Sequence, residues 1–141
     1  MNFAPSGKLR VVLDTNVYFS AFMNYKGVPF AIWKKAVDYD YHLLISPAII
    51  REAGKVLRER LNWQEVEIVK HLKFLAKAGE IVVPDFTLKV IVEDEADNRI
   101  LECAVEGKAD LIVSGDHHLY RLKSFRNIGI VRPADFYRIL A

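Results

Sequence analysis

An internal disulfide is closed to this chain, because its 141 residues include one cysteine, Cys103. A single thiol also excludes a cysteine-built zinc cluster. Its helical spacing from Ile100 marks it as a buried, inert side chain. No apolar run continues far enough without a charge to span a bilayer. The first residues lack the basic, apolar and small-residue succession of a secretory signal, so the expected location is the cytoplasm, without a membrane partner. Charge of one sign is missing too. With 20 basic and 18 acidic residues the formal net charge is +2, too balanced to argue nucleic-acid binding by itself. What is present is a hydrophobic fraction of 52%, enough to fill one core. The length suits a single domain over residues 1–141, with residues 1–8 as a flexible lead-in.

The pattern along the chain alternates short apolar runs with helical stretches. Val11, Val12 and Leu13 form a run too short and too continuously apolar for an amphipathic helix, so they read as a buried parallel strand. Further strands are expected at 42–45, 80–83, 109–113 and 129–131. Helices are expected between them. One opens near Asn16 and another at Pro29; a third opens at Ser46-Pro47, with serine as N-cap and proline in the first turn. Asn62 to Glu65 has the spacing of a capping box for a helix that ends at Gly79. Residues 88–92 read as an extended connection, Asp94 as the cap of the next helix, and Pro133 as the start of the last. Strands separated by helices predict an α/β fold, a three-layer α/β/α sandwich with a parallel sheet of four to five strands.

Acids recur at particular places in this pattern. Asp14 and Asp116 each fall just past the end of an expected strand, on the edge where open α/β sheets collect ligands. Glu52 lies three residues after Ile49 and four before Val56, on or beside the buried stripe of its helix. Asp97 stands three before Ile100 and four before Leu101, so it too points inward. Two carboxylates about 5 Å apart repel by roughly 3 kcal/mol at an effective dielectric near 20. Four converging acids would cost on the order of 10 kcal/mol if all were ionised and unpaired. Such a group needs protons or a divalent cation, and an all-oxygen set suits Mg²⁺ or Mn²⁺. Taken singly, each acid has a plainer use at a helix start or a turn. Lys34, Lys35, Arg51, Lys55, Arg58 and Arg60 cluster in one part of the chain, and Arg121, Lys123 and Arg126 in another. They are either solvated helix faces or a basic rim around an acidic centre. His117 and His118 directly follow Asp116 and are candidates for substrate contact.

These stretches resemble the PIN domain, the fold of VapC-type toxin ribonucleases and related RNA-processing nucleases. The resemblance rests on Val11-Val12-Leu13-Asp14-Thr15-Asn16, Ser46-Pro47-Ala48-Ile49-Ile50-Arg51-Glu52, Asp97-Asn98-Arg99-Ile100-Leu101-Glu102-Cys103-Ala104 and Ala109-Asp110-Leu111-Ile112-Val113-Ser114-Gly115-Asp116. The ending Gly129-Ile130-Val131-Arg132-Pro133 is similar to a branch of toxin components. The resemblance implies that Asp14, Glu52, Asp97 and Asp116 are metal-binding, catalytic acids, supported by Thr15, Asn16 and Ser114. It implies Mg²⁺- or Mn²⁺-dependent cleavage of single-stranded RNA, a small antitoxin partner and a homodimer. Other expectations stay open beside it: a non-toxin RNA-processing nuclease, an RNA-binding module without turnover, or a phosphatase with Asp14 as nucleophile. The last usually wants a second acid two residues on, where this chain has Asn16. Tyr25, Phe30 and Trp33 suit a dimer surface or the core equally well.

Overall fold

The computed structural model describes residues 7–141; the expected lead-in before residue 7 lies outside them. Strand β1 (Arg10–Leu13) leads into α1 (Thr15–Met23) and α2 (Val28–Val37), and β2 (His42–Ile45) into α3 (Pro47–Glu59) and α4 (Glu65–Ala78). The short β3 (Glu80–Ile81) is followed by α5 (Glu95–Glu106). The chain closes with β4 (Leu111–Val113), α6 (His117–Tyr120), β5 (Ser124–Phe125), β6 (Ile128–Val131) and α7 (Pro133–Leu140).

The strands make one sheet in the order β3-β2-β1-β4-β6-β5, parallel except where β5 meets β6. Val11, Val12 and Leu13 are wholly buried, as are Ile112 and Val113 on the neighbouring strand. Continuous β-branched and aliphatic runs of this kind are what a strand covered on both faces requires. Successive crossovers run outward from β1 to β2 and β3, then reverse over them to β4. Right-handed connections therefore place α5 on the opposite face from α1–α4. The same reversal makes the gap between the carboxyl ends of β1 and β4 the switch point of the sheet.

Local chemistry explains the elements, including those the pattern missed. Ser46 caps α3 by accepting from the Ile49 amide at 3.2 Å, and Asp94 caps α5 by accepting from Ala96 at 3.0 Å. Asn62 does not build the expected capping box. It adopts a left-handed conformation (φ 55°) in the turn that ends α3, where the Trp63 amide returns to the Leu57 carbonyl. An asparagine spent on a helix C-terminus cannot also cap the next helix. α4 accordingly starts at Glu65 behind Gln64, which makes no capping bond, and Glu65 pairs with Arg58. Among the described residues the sheet has six strands where four to five were expected, and β3 is shorter than its apolar run. The addition is β5, whose two residues carry no alternation to read. A two-residue loop, Arg126-Asn127, joins it to β6, with positive φ at both positions (49° and 68°), as a tight hairpin turn demands.

Residues 88–92 are an extended connection held by side chains of α5 rather than by the sheet. Asn98 Oδ1 accepts from the Val90 and Ile91 amides at 3.1 and 2.8 Å, and its Nδ2 donates to the Ile91 carbonyl at 2.7 Å. Glu102 accepts from the Leu88 amide at 2.8 Å and pairs with Arg99 at 2.9 Å. These buried polar groups are satisfied only while strap and helix stay together. Replacing Asn98 by alanine leaves the Ile91 amide and carbonyl buried and unpaired. The expected loss is about 2–4 kcal/mol of unfolding free energy in urea denaturation, with hydrogen exchange rising first across 88–92.

Candidate metal centre

Sheet register brings the first two acids together. Leu13 pairs with Val113, so the residues that follow, Asp14 and Ser114, emerge side by side. The ladder continues one bond further through the Asp14 amide to the Val113 carbonyl at 2.9 Å. Ser114 Oγ donates to Asp14 Oδ2 at 2.7 Å and accepts from the Asp116 amide at 2.9 Å. One hydroxyl thus fixes Asp14 and the backbone that presents Asp116. Asp97 arrives from the first turn of α5 and is 3% exposed, with Oδ2 lacking any hydrogen-bond partner among the described residues. Carboxylate oxygens of Asp14, Asp97 and Asp116 lie within 4.8 Å of one another. That spread is about twice a metal–oxygen bond of roughly 2.1–2.4 Å.

The plainer uses of these acids are only partly taken up. Asp14 occupies the N-cap position of α1 but makes no side-chain capping bond. Asp116 does cap, accepting from the His118 amide at 2.8 Å through Oδ1. Burial raises the Asp14 carboxyl to about 6, aided by the charge of Asp116 and opposed by the Ser114 hydroxyl and the Asn16 and Thr15 amides. Asp97 is raised well above the usual carboxylate range by burial, then by the charges of Asp14, Asp116 and Asp94. The donors are oxygens, one is buried without a partner, and two resist ionisation where they stand. This donor set fits a hard divalent cation, whose charge would supply what burial withholds.

The other expected residues divide. Ser114 is fully buried and is the hinge of the hydrogen-bond set; Thr15 is buried beside Asp14. Asn16 is exposed, and its Oδ1 accepts from Arg60 Nη1 at 3.5 Å, away from the triad's own hydrogen bonds. Glu52 is half-buried on α3 and stays outside the close set of three. Of the basic residues, Arg60 lies over the Phe19 ring at 4.0 Å and Arg121 pairs with Glu93 at 2.9 Å. Arg51 and Lys55 stand exposed on α3, the helix that carries Glu52. Trp33 belongs to the core, edge-on to Tyr18 and Phe22, while Tyr25 is 64% exposed. Cys103 is buried, and burial lifts its thiol to about 12, so it stays protonated. Asn98 and Glu102 escaped the sequence reading. A polar residue on the buried stripe of a helix was the available signal.

The sequence profile of the PIN domain family matches residues 10–118, from β1 into α6 and through all three acids. The chain belongs to the PIN domain family. Members of that family are generally nucleases. An uncharacterized protein of Methanocaldococcus jannaschii is 34% identical over 120 residues, covering 82% of this chain and 76% of that protein. Two solved structures share the fold. VapBC2 from Rickettsia felis, bound to a DNA fragment from their promoter, superposes with a TM-score of 0.64 at 13% identity over 88% of this chain and 98% of that one. PAE2754 from Pyrobaculum aerophilum gives 0.61 at 20% identity over 95% and 90%. No helix of this PIN domain, among the described residues, is long and apolar enough to cross a membrane.

The raised Asp14 carboxyl makes the metal-free protein sensitive to pH in a defined direction. Below the unfolded value near 3.8 the group is protonated in both states. Between 3.8 and about 6 the unfolded chain gives up the proton that the folded one keeps, so stability falls as pH rises through that window. The span corresponds to about 3 kcal/mol at 1.36 kcal/mol per unit. In EDTA, Asp14→Asn should show a shallower slope than wild type, keeping the part that the raised Asp97 contributes, and should exceed wild type in stability by up to roughly that amount at pH 7.5. Urea denaturation at pH 4.5, 6 and 7.5 measures the difference, and saturating Mn²⁺ should raise wild type selectively.

Proposed function

We propose that this PIN domain is a Mg²⁺- or Mn²⁺-dependent endoribonuclease that hydrolyses phosphodiesters of single-stranded RNA. The observation that carries the reading is the buried, partnerless Asp97 oxygen facing Asp14 and Asp116 at the switch point of the sheet. The three aspartates would hold the cation, which when bound would lower the pKa of a water and stabilise the phosphorane-like charge. Ser114 keeps Asp14 oriented, so its lone pairs are aimed before any ligand arrives. Glu52, the fourth acid, acts from α3 through a water or a second ion. Arg51 and Lys55 bind flanking phosphates, which makes affinity fall with salt.

A toxin paired with a small antitoxin is the cellular setting we favour, supported by the fold shared with the Rickettsia felis VapBC2 assembly. Met23, Tyr25 and Val28, exposed where α1 meets α2, offer an apolar surface for a second copy or for that partner. Cytoplasmic RNA processing outside a toxin pair uses the same chemistry. The phosphatase alternative is disfavoured because Asn16 stands where its second acid belongs, turned to Arg60.

Incubation with single-stranded RNA and Mn²⁺ should give internal cleavage that EDTA abolishes. Asp14→Asn and Asp97→Asn should each lower the rate by at least about 10²-fold while the fold is kept by circular dichroism. Cleavage that survives EDTA or either substitution would overturn the proposal. Hydrolysis of a phosphomonoester with RNA left intact would favour the phosphatase.

A further inference from the structure

A second group of metal-ligating atoms adjoins the acid triad and shares a residue with it. Ligand atoms of Asp116, His117 and His118 lie within 4.8 Å of one another, as those of the triad do. The two imidazole rings are 4.1 Å apart between centroids, inclined at 39°. His118 is half-buried, and its Nδ1 is shut off from solvent with no partner among the described residues. His117 is exposed and free of that packing constraint. A backbone bond holds the arrangement, since the His118 amide donates to Asp116 Oδ1. Asp97, with a buried oxygen that has no partner among the described residues, is a neighbour of Asp116 in the acid triad. Asp116 therefore stands between an all-oxygen group and a group with two nitrogen donors.

We propose that Asp116, His117 and His118 form a nitrogen-containing cation seat next to the aspartate triad, with Asp116 common to both. Imidazole is a borderline ligand that suits Mn²⁺, Co²⁺ or Zn²⁺ and adds little for Mg²⁺, which keeps oxygen and water around it. The seat biases this centre toward a transition metal, although the triad alone is indifferent between Mg²⁺ and Mn²⁺. The inference deepens the metal-nuclease reading and rests on it, since the shared Asp116 has to be a cation ligand for either group.

Pulsed electron paramagnetic resonance of the purified protein loaded with Mn²⁺ reads the donors directly. Wild type should show coupling of bound Mn²⁺ to imidazole nitrogen. His117→Gln combined with His118→Gln should remove that coupling and weaken Mn²⁺ binding by about tenfold or more, while Mg²⁺ binding, followed by competition, changes little. Asp97→Asn should weaken Mn²⁺ binding yet leave the nitrogen coupling. Circular dichroism of the double variant, expected to match wild type, controls for its folding. Mn²⁺ bound through Asp97 without nitrogen coupling in wild type overturns the seat alone. An equal loss of Mg²⁺ and Mn²⁺ in the double variant overturns the proposed preference. If neither Asp97→Asn nor the double variant alters Mn²⁺ binding, the metal-nuclease reading falls together with the seat.

Discussion

Like charges crowded out of water are the constraint around which this fold is arranged. Asp14 and Asp97 are each 3% exposed, and Asp116 sits against both. At about 5 Å and an effective dielectric near 20, each ionised pair costs roughly 3 kcal/mol. That is comparable to the whole stability margin of a typical domain once three pairs are counted. The acids are nonetheless kept in place from several directions. Two are set by the register of β1 and β4, one by the first turn of α5, and the Ser114 hydroxyl joins the two that come from the sheet. A site of this kind is assembled against its own electrostatics by the apolar core beneath it. Val11–Leu13 and Leu111–Val113 drive that assembly, and they meet only because the strands are parallel neighbours.

The strap before α5 belongs to the same economy. Asn98 follows Asp97 directly, and the two side chains serve opposite ends of one problem. Asn98 turns to residues 90 and 91, where both its amide oxygen and its nitrogen are bonded; Asp97 turns to the acids and has an oxygen left over. Because the strap is fastened to the helix by Asn98 and Glu102, the segment carrying Asp94 and Asp97 cannot rotate to relieve the repulsion without breaking buried hydrogen bonds. The orphaned acid is thus held by its satisfied neighbour.

How far this could be read from the chain depended on whether a signal was local. Continuous apolar runs marked the central strands because burial on two faces leaves no alternation to misread. Ser46-Pro47 and Asp94 were legible as caps because the cap and its amides are two or three residues apart. Asp14, Asp97 and Asp116 could be placed at one edge from strand ends and helix spacing alone. Asn62 was misread because one residue can serve only one of two adjoining helix ends, and the competition is decided by packing. β5 was invisible because its two residues take their identity from the hairpin turn and from β6. Glu52 illustrates the limit of periodicity. Spacing put it near the buried stripe, which holds, since it is half-buried; how far α3 stands from the triad is a tertiary quantity. The histidines show the converse. Adjacency to Asp116 marked His117 and His118 only as candidates for substrate contact, and the start of α6 is what brings the two rings to 4.1 Å between centroids.

The relation between site and fold also bears on what can vary in this family. The Rickettsia felis and Pyrobaculum aerophilum structures keep the architecture at 13% and 20% identity. An apolar core tolerates such replacement because volume and pattern suffice to fill it. A switch-point acid has no such latitude, since its place is set by strand register to within one residue, and a slip of one would turn it to the other face. Residues around the acids fall between these extremes. A hydroxyl at position 114 is needed to donate to Asp14 and receive the Asp116 amide at once, a double duty that alanine or valine cannot perform. Positions 117 and 118 carry no such burden in the sheet. Neither side chain caps a helix or belongs to the apolar core; His117 is exposed, so the donor it presents can change with little cost to folding, while half-buried His118 has less room to vary.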